Sequence, residues 1–467
     1  MKKGTLVCLL ALCLLWTNTI ADPIPLWAPQ ITDEMPVITI AAASGGNQFA
    51  TAYVREDKLQ SRIDFVDATI SVAEGNKTLL RNQRAQVKVR GNYTLDYPKK
   101  SMRIKFETKQ SMLGLNESQA YKNWVLLAEW KDLSMLNSAA ALFLAQNILG
   151  ADGYYCSDYR FVHLYVGDEY WGVYLLAEQQ EVNSGRVDIA KPEKGSADRY
   201  TGYLMEYDAY FNEEAGLPNS DPVFQVYHQG VTGDQYGYSI KSRIESSRQV
   251  SFLRSVVRLA YRACHAAATE NKHYTFNEKY TELIEAPEAS VRETVEQIID
   301  LDSLVDTYLL NEIVCNPDIG WSSFYISLDM SEHGSRKLTF QAPWDFDSAF
   351  GIRSGYEDAR QEYAAYANNP WLRLFAGETW FQELVRARWS EIKAQDLPAQ
   401  TLALIRTLTD TYAADFARNY DRWPARITEG NHELIGELNN CQSQQEAADY
   451  LYRWLSERFS CLDARWQ

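Results

Sequence analysis

The sequence has few residues of the kinds that bind metals through nitrogen or sulfur. Its 467 residues include seven cysteines and six histidines, and none of them forms a CxxC, HxxxH or HxH motif. Because zinc sites are usually built from such closely spaced ligands, a zinc site is not expected. The sequence also lacks the GxGxxG and GxxxxGK(S/T) motifs, which excludes the conventional protein-kinase and P-loop nucleotide sites.

Basic residues are also in the minority. The chain has 46 Lys and Arg residues against 62 Asp and Glu residues, a formal net charge of −16 at pH 7. Such an acidic chain is not expected to bind nucleic acid or anionic membranes over a broad surface, although a small basic pocket for a phosphate is compatible with it. Hydrophobic residues at 46% and aromatic residues at 13% are sufficient for a large core and exclude global disorder.

Long hydrophobic runs are absent beyond the first segment, so no membrane span is expected in the mature chain. Residues 1–21 have the pattern of a secretory signal peptide. A positive start precedes an apolar run from Thr5 to Trp16, and Thr19-Ile20-Ala21 offers small residues at the positions that a signal peptidase reads. We therefore expect an exported protein, whether periplasmic, on the cell surface or extracellular.

Five cysteines follow that segment, an odd number that leaves at least one free thiol or an intermolecular link in an oxidising compartment. Cys441 and Cys461 are a plausible loop-closing pair near the C-terminal end. The sequence does not determine the connectivity.

Hydrophobic patterning predicts a β-rich N-terminal part. The predicted strands are Pro36–Ala43, Tyr53-Val54, Ala68–Val72, a hairpin of Gln86–Arg90 with Ser101–Phe106, Trp124–Ala128, and a hairpin of Phe161–Val166 with Gly172–Ala177. Gly91 and Pro98 lie in the connection of the first hairpin, and Gly167-Asp168 forms the turn of the second.

The rest of the chain is mixed and then mostly helical. Asp132 suits the N-cap of a helix that runs to Leu149, with Gly150 at its C′ position. Further predicted helices are Ser247–Ala268, Ser290–Ile299, Leu301–Val314 and several segments after Thr379, with short strands at Tyr203–Glu206, Phe324–Ile326 and Leu338–Phe340. This order of elements indicates a two-lobed α+β enzyme.

The stretch from Asn316 to Gly351 carries the clearest chemical signal. Asp318 lies in a polar loop between a predicted helix and a predicted strand, and Asp345 and Asp347 follow a second strand. Phosphoryl transfer needs such carboxylates, one to orient or deprotonate the acceptor hydroxyl and another to hold Mg²⁺ or Mn²⁺ against the nucleotide phosphates. The alternative is that Asp318 and Asp345 simply form turns, in which aspartate is common.

Five positive charges fall within one short stretch despite the overall acidity. They are Arg90, Lys99, Lys100, Arg103 and Lys105. Arg90 opens a glycine turn, and a glycine turn followed by a strand lysine is able to cradle and neutralise phosphates. Lysines on the outer face of a strand are more often only solvated, so this signal is weak when taken alone.

These residues resemble a family signature. Arg90-Gly91-Asn92 followed by Lys99 to Phe106 is similar to the RGN…KKSYRIKF signature of the CotH (spore-coat protein H) kinase family. Further similar segments, in the family's order, are Trp124–Ala128, Asp132–Asn137, Trp171–Glu178, Asn316–Asp318 and Pro343–Gly351. The last of these resembles the family's PWDxDxxFG element.

The resemblance implies an atypical secreted protein kinase with a two-lobed kinase-like α+β fold. Such an enzyme uses ATP and Mg²⁺ or Mn²⁺ to phosphorylate Ser or Thr residues of a protein substrate. The division that follows is a signal peptide at 1–21, a β-rich segment at 22–84, a kinase-like core at 85–375 and a helical extension at 376–467.

The resemblance also implies roles for individual residues. On the matching positions, Asp318 would be the catalytic-loop carboxylate, Asp345 would bind the metal, and Asp347 would be its second ligand. Lys100 or Lys105 would contact the phosphates, near Arg90. Glu178 would be the acid that positions that lysine or a metal. Outside these motifs, Glu206 and Asp208 either lie between the lobes or form a chance pair on a strand.

One departure from the family lies at Ser322-Ser323, where members commonly carry Asn-Asn. Ser323 stands five residues after Asp318, where a kinase catalytic loop has its metal-binding Asn. A hydroxyl is a poorer metal ligand than an amide carbonyl, although P-loop enzymes use one for Mg²⁺. Three readings stay open: an active kinase with an altered metal site, an inactive kinase-fold module for surface or coat assembly, and a kinase-fold enzyme that transfers AMP.

Overall fold

The computed structural model describes residues 26–51, 64–91, 93–213, 220–231, 236–362 and 369–467. The predicted signal peptide at 1–21 and the predicted strand at Tyr53-Val54 lie outside these residues, so both stay predictions.

The N-terminal part forms a closed barrel with the strand order β1-β2-β3-β4-β5-β7-β6. Its strands are β1 (Val37–Ala42), β2 (Val66–Glu74), β3 (Lys77–Arg90), β4 (Ser101–Gln110), β5 (Tyr121–Leu127), β6 (Tyr159–Val166) and β7 (Glu169–Glu178). All neighbouring strands are antiparallel except β1 and β6, which are parallel and close the barrel. Both predicted hairpins are confirmed, as β3–β4 and β6–β7.

Alternation along the strands decides which side chains fill the barrel. Ile38, Val87, Ile104 and Trp124 are among the fully buried residues of its interior. Their neighbours in sequence point outward, as a strand requires. Because β1 and β2 pair with β3 and β6, the segment 22–84 belongs to the same barrel as the strands after it, and the expected boundary at 84–85 falls inside β3.

A second sheet has the strand order β14-β13-β8-β10-β9. Its strands are β8 (Gly202–Asp208), β9 (Val223–Gln225), β10 (Gly237–Ile240), β13 (Phe324–Asp329) and β14 (Leu338–Phe340), and β11 (Tyr274–Phe276) pairs separately with β12 (Leu283–Glu285). On one face, Tyr207, Tyr238 and Phe324 pack into the main core. The alternating residues of the other face, including Glu206 and Asp208, face the barrel.

Helices pack around the main core, against the outer wall of the barrel and one face of the second sheet. The longer ones are α2 (Asn137–Ile148), α3 (Ser247–Glu270), α4 (Val291–Ile298), α5 (Leu301–Val314), α7 (Thr379–Ala394), α8 (Leu397–Thr411), α9 (Ala413–Arg422) and α12 (Gln444–Trp466), and the short ones are α1 (Gln48–Thr51), α6 (Leu372–Phe375), α10 (Ala425–Thr428) and α11 (Gly436–Asn439). Helix α9 packs on β7, α8 on α2, and α12 on α5. Of the helices described, none has both the length and the apolar character needed to cross a bilayer.

The predicted start of the helix after Asp132 is wrong, whereas its predicted end agrees with the C-cap at Leu149. Helix α2 begins at Asn137, because Met135 adopts a left-handed φ of 60° and breaks the chain direction before it. Asp132 instead accepts hydrogen bonds from the backbone N–H groups of Ser134 and Asn137, both at 2.8 Å. At the other end, the left-handed residue is Gly153 with φ of 86°, and Gly150 begins a further short helical turn.

The suggested pairing of Cys441 with Cys461 does not form. All five cysteines of the described residues are free thiols. Cys441 precedes helix α12 and Cys461 lies near its far end, so at 1.5 Å per residue the helix holds the two roughly 25 Å apart. A disulfide requires Cα atoms within about 7 Å.

Candidate active site

A cavity of about 550 Å³ lies between the outer wall of the barrel and the five-stranded sheet. Its size is in the range of small-molecule sites, roughly 300–1,000 Å³. On the barrel side it is lined by Lys88 and Arg90 of β3 and by Arg103 of β4, which lies directly across from Lys88. These residues face outward because Val87 and Val89 fill the barrel interior. The wall is therefore basic.

The opposite wall is acidic. Glu206 and Asp208 of β8 reach the cavity beside Tyr325 of β13. Burial and, to a smaller extent, the charge of the neighbouring Glu206 together raise the pKa of Asp208 to about 6. Lys241 lies 3.0 Å from Glu206 and neutralises part of the charge. Of the two alternatives for Glu206 and Asp208, the structure therefore favours the one in which both line the cavity, rather than a chance pair on a strand.

Asp318 lies in a short helical turn after α5. The turn begins at Asn316, whose Oδ1 accepts a hydrogen bond from the Asp318 N–H at 3.1 Å. The Nδ2 of Asn316 donates to the backbone oxygen of Asp345 at 3.2 Å, which joins the two carboxylate loops. Arg353 donates to the Asp318 carboxylate at 2.8 Å. The structure therefore brings the predicted catalytic carboxylate into the cavity, paired with an arginine.

Asp345 and Asp347 point into the same cavity from the loop after β14. Asp345 accepts a hydrogen bond from the Ser323 hydroxyl at 2.9 Å. Burial and, to a smaller extent, the charges of Asp347 and Asp318 together raise the pKa of Asp345 to about 7. Burial likewise raises the pKa of Asp347. The three aspartates thus repel one another in a site that favours an added positive charge.

Ser323 connects the two acidic groups. Its N–H donates to Glu206 at 2.9 Å while its hydroxyl donates to Asp345. The residue adopts a left-handed φ of 62°, a conformation in which Asn is several-fold enriched over most other residues. The backbone therefore keeps the conformation suited to an asparagine, although the side chain is a hydroxyl.

Lys131 is a site residue that the sequence reading missed. Its buried ammonium lies 3.6 Å from Asp347 and 3.6 Å from Glu433, and donates to Ser348 at 2.7 Å. Burial alone would lower the pKa of Lys131, but Asp347 and other acids outweigh it and raise the pKa above its ordinary value. Lys131 thus carries a full positive charge beside the aspartates. Its only sequence signal is its position shortly after a strand segment that resembles the family.

Among the predicted phosphate contacts, only Arg90 lines the cavity. Its guanidinium lies 5.3 Å from the ring of Trp344, next to Asp345. Lys100 is buried and donates to the backbone oxygens of Leu95 and Tyr97 at 2.8 and 2.6 Å, so it stabilises the turn between β3 and β4. Lys105 is exposed on the barrel surface. Neither Lys100 nor Lys105 is among the residues that line the cavity.

The neighbouring Lys99 does line the cavity, although it serves the fold. Its ammonium donates to the backbone oxygens of Ala128 and Val173 at 2.8 and 2.5 Å, joining the end of β5 to β7. Burial lowers the pKa of Lys99 to about 7, and the nearby Glu129 only partly opposes this. At neutral pH this amine is therefore only partly charged.

Glu178 has a different partner from the one the resemblance implied. It is buried at the end of β7 and pairs with Arg186 at 3.0 Å. It also accepts hydrogen bonds from Asn116 at 2.8 Å and from the N–H of Asp158 at 3.1 Å. In these contacts, Glu178 fixes the turn after β7 rather than a lysine of β4.

The residues present fit a divalent cation of the Mg²⁺ type. Within the described ranges, no three histidine, cysteine, aspartate or glutamate side chains form a preformed metal cluster. Mg²⁺ is commonly held by one or two carboxylates, with substrate phosphates and waters as the other ligands. Asp345, Asp347 and Ser323 offer oxygen atoms of this kind, and a cation would relieve the repulsion that raises the pKa of Asp345. The donor set therefore suits Mg²⁺ or Mn²⁺ bound together with a phosphate.

A comparison with protein-family models matches residues 87–462 to the family described as CotH kinase protein. The chain belongs to the CotH kinase family. The match confirms the resemblance and extends it through most of the C-terminal helices, and it contains every residue that lines the cavity. A search among curated proteins finds no match. Membership in the CotH kinase family supports a kinase-like function.

Proposed function

We propose that this CotH family member is an exported ATP-dependent kinase that transfers the γ-phosphoryl group of ATP to Ser or Thr hydroxyls of a protein. The observation that carries the proposal is the meeting of Asp318, Asp345 and Asp347 in one cavity, opposite Arg90. Phosphoryl transfer needs carboxylates for a metal and an acceptor, together with cations for the phosphates. Export rests on the signal-like residues 1–21.

The architecture supports a two-lobed arrangement. In our proposal the barrel is the N-terminal lobe, and the five-stranded sheet with its helices is the C-terminal lobe. The cavity between them then corresponds to the cleft of a kinase, with its phosphate-binding side on the turn after β3. Gly91 in that turn has φ of 123°, and a Cβ there would collide with the Thr94 hydroxyl. Glycine is thus required for the packing of this turn, which itself lines the cavity.

The charged residues suggest a division of work. Asp318 would accept the proton of the acceptor hydroxyl as the oxygen bonds to the γ-phosphorus, while the bond from that phosphorus to the β–γ bridging oxygen breaks and ADP leaves. Arg353 would orient the Asp318 carboxylate. Arg90 and Lys131 would offset the charge of the phosphates, Lys131 by turning from Asp347 toward them.

Asp345 and Asp347 would hold the divalent cation, with Ser323 as a weaker neighbouring oxygen. When bound, that cation neutralises phosphate charge and stabilises the transition state. Asparagine at position 323 would supply a carbonyl oxygen to the same place, so the serine predicts weaker metal binding than in family members with Asn-Asn.

The test is label transfer from ATP. The mature protein is incubated with γ-labelled or α-labelled ATP, Mg²⁺ or Mn²⁺, and a Ser-rich basic peptide, beside Asp318→Ala and Asp345→Ala. We expect γ-label in the peptide only with the unmodified protein. Label only from α-labelled ATP would instead establish nucleotidyl transfer. No transfer above the variants, with no nucleotide-dependent thermal shift, would contradict an enzymatic role.

A second candidate, an inactive kinase-fold binding protein, is favoured by one contact. Arg353 holds Asp318 in an ion pair of 2.8 Å, which competes with proton acceptance from a substrate. Nucleotide binding without transfer, unchanged by Arg353→Ala, would support this candidate. If Arg353→Ala alters transfer by the peptide assay, Asp318 is in use and the candidate fails.

A further inference from the structure

The turn after β7 presents an unused polar side chain to the cavity. Gln180 lines the cavity and is only 3% exposed. Its Nε2 reaches the Glu178 backbone oxygen only at 3.5 Å, the outer limit of a hydrogen bond. Its Oε1 is buried and has no hydrogen-bond partner in the described part of the chain. Because a buried polar atom without a partner costs stability, such an atom in a cavity suggests that a ligand satisfies it.

A buried arginine holds the turn that carries Gln180. The buried Arg186 donates to Glu178 at 3.0 Å, to Glu181 at 2.7 Å and to the Gln179 backbone oxygen at 3.3 Å. Its guanidinium also lies 3.8 Å from the ring of Tyr121 in β5. The turn is therefore ordered before a ligand enters, which reduces the entropic cost of binding.

A second unpartnered group lies at the same end of the cavity. Asn123 donates to Glu181 at 2.7 Å and accepts from the Nη2 of Arg103 at 3.0 Å, so Arg103 is tied to the turn through one side chain. The Nε of Arg103 is buried and also lacks a partner among the described residues. One acceptor and one donor without partners thus belong to two residues that line the same cavity.

This pair matches the edge of adenine. Adenine offers the 6-amino group as a donor beside ring nitrogens that accept, whereas a 6-oxo purine has an acceptor in place of the amino group. Resting on the proposed nucleotide-dependent function, we propose that Gln180 is a specificity-determining residue, which accepts a hydrogen bond from the 6-amino group of the nucleotide base and selects adenine over 6-oxo purines. Arg103 donates to N7 of the same base, an acceptor that adenine and 6-oxo purines share.

The test compares the binding of ATP and ITP, which differ in this group. Equilibrium binding of each nucleotide is measured with Mg²⁺ and the full mature chain. A hydrogen bond of this kind corresponds to roughly tenfold in affinity, so the unmodified protein should prefer ATP by about that factor. Gln180→Met, which keeps the volume and removes the amide, should bind ATP and ITP alike, with ITP affinity little changed.

Two further variants keep the test decisive. Gln180→Glu retains an acceptor at the same point and should keep the preference for ATP, even if the Met variant fails to fold in a thermal denaturation check. Gln179→Ala changes the adjacent glutamine of the same turn and should also keep the preference for ATP. If Gln180→Met prefers ATP over ITP as strongly as the unmodified protein does, the inference is overturned while the proposed function is unaffected. If neither nucleotide binds to any form, the inference and the proposed function both fail.

Discussion

The buried amine of Lys99 should make the free energy of unfolding depend on pH. Its pKa is lowered from 10.5 to about 7 by burial. Between pH 7 and pH 10.5 the Lys99 amine is largely neutral in the native chain but still protonated in the unfolded chain. Unfolding in this pH range therefore takes up a proton. Rising pH then disfavours unfolding, and stability increases with pH. From pH 7 to pH 9 the expected gain is about 2 kcal/mol, since each pKa unit corresponds to roughly 1.36 kcal/mol and half a proton is already lost at pH 7.

Glu129 faces Lys99 and has a pKa raised well above its ordinary value, mainly by burial, so its own titration opposes this gain. The comparison is therefore made in a Glu129→Gln background, with and without Lys99→Met. Free energies of unfolding from urea denaturation, followed by tryptophan fluorescence, are measured at pH 7, 8 and 9. The single variant should gain at least about 2 kcal/mol relative to the double variant over this range. Parallel curves for the two variants would refute the assignment of a neutral buried amine.

Three further predictions concern the metal site, the buried lysine and a glycine of the core. Ser323→Asn should tighten Mg²⁺-dependent nucleotide binding several-fold, because the left-handed backbone at this position suits asparagine and its carbonyl is a better ligand; Ser323→Ala should weaken that binding, and equal affinities in calorimetry would contradict the metal role. Lys131→Met should destabilise the protein by about 3–5 kcal/mol in urea denaturation, since it leaves Asp347 without its cation; an unchanged unfolding midpoint would count against the pairing. Gly351→Ala should lower the thermal unfolding midpoint markedly, because φ is 68° and the new Cβ would collide with the Trp454 indole. Gly355→Ala is the control: φ is 90°, but no atom lies within 4 Å of the new Cβ. It should therefore show only the smaller loss that comes from backbone strain.

Local patterns predicted the elements whose signals are contained within a few residues. Helix α5 has the predicted bounds because Asp300 caps its start, accepting from Ser303 at 3.1 Å, and Cys315 ends it in a left-handed conformation. The hairpin of β3 with β4 follows from its alternation, which also placed Arg103 outside the barrel. Closure of the barrel by parallel pairing of β1 with β6 was not predictable, because it joins distant segments.

The candidate site was predictable in its acids and less so in its bases. Asp318, Asp345 and Asp347 lie in loops at strand ends, where polar motifs stand out in sequence. Lys131 and Glu433 meet only because the C-terminal segment folds back on the barrel. The sequence also did not show which of the neighbouring lysines lines the cavity, because the second sheet covers only part of the outward face of β4. Lys105 lies beyond that cover, and Lys100 turns to backbone oxygens.

The central claim is that the carboxylates of the cavity hold a divalent cation against a nucleotide. The most direct test is calorimetric binding of ATP with Mg²⁺ and with EDTA, to the unmodified protein, to Asp345→Asn and to Asp358→Asn, an exposed aspartate outside the cavity. We expect binding that requires Mg²⁺ in the unmodified protein and in Asp358→Asn, with a loss of tenfold or more in Asp345→Asn, in line with roughly 1.4 kcal/mol or more for a lost ligand. Equal ATP affinity with and without Mg²⁺, or equal affinity in Asp345→Asn, would contradict the claim.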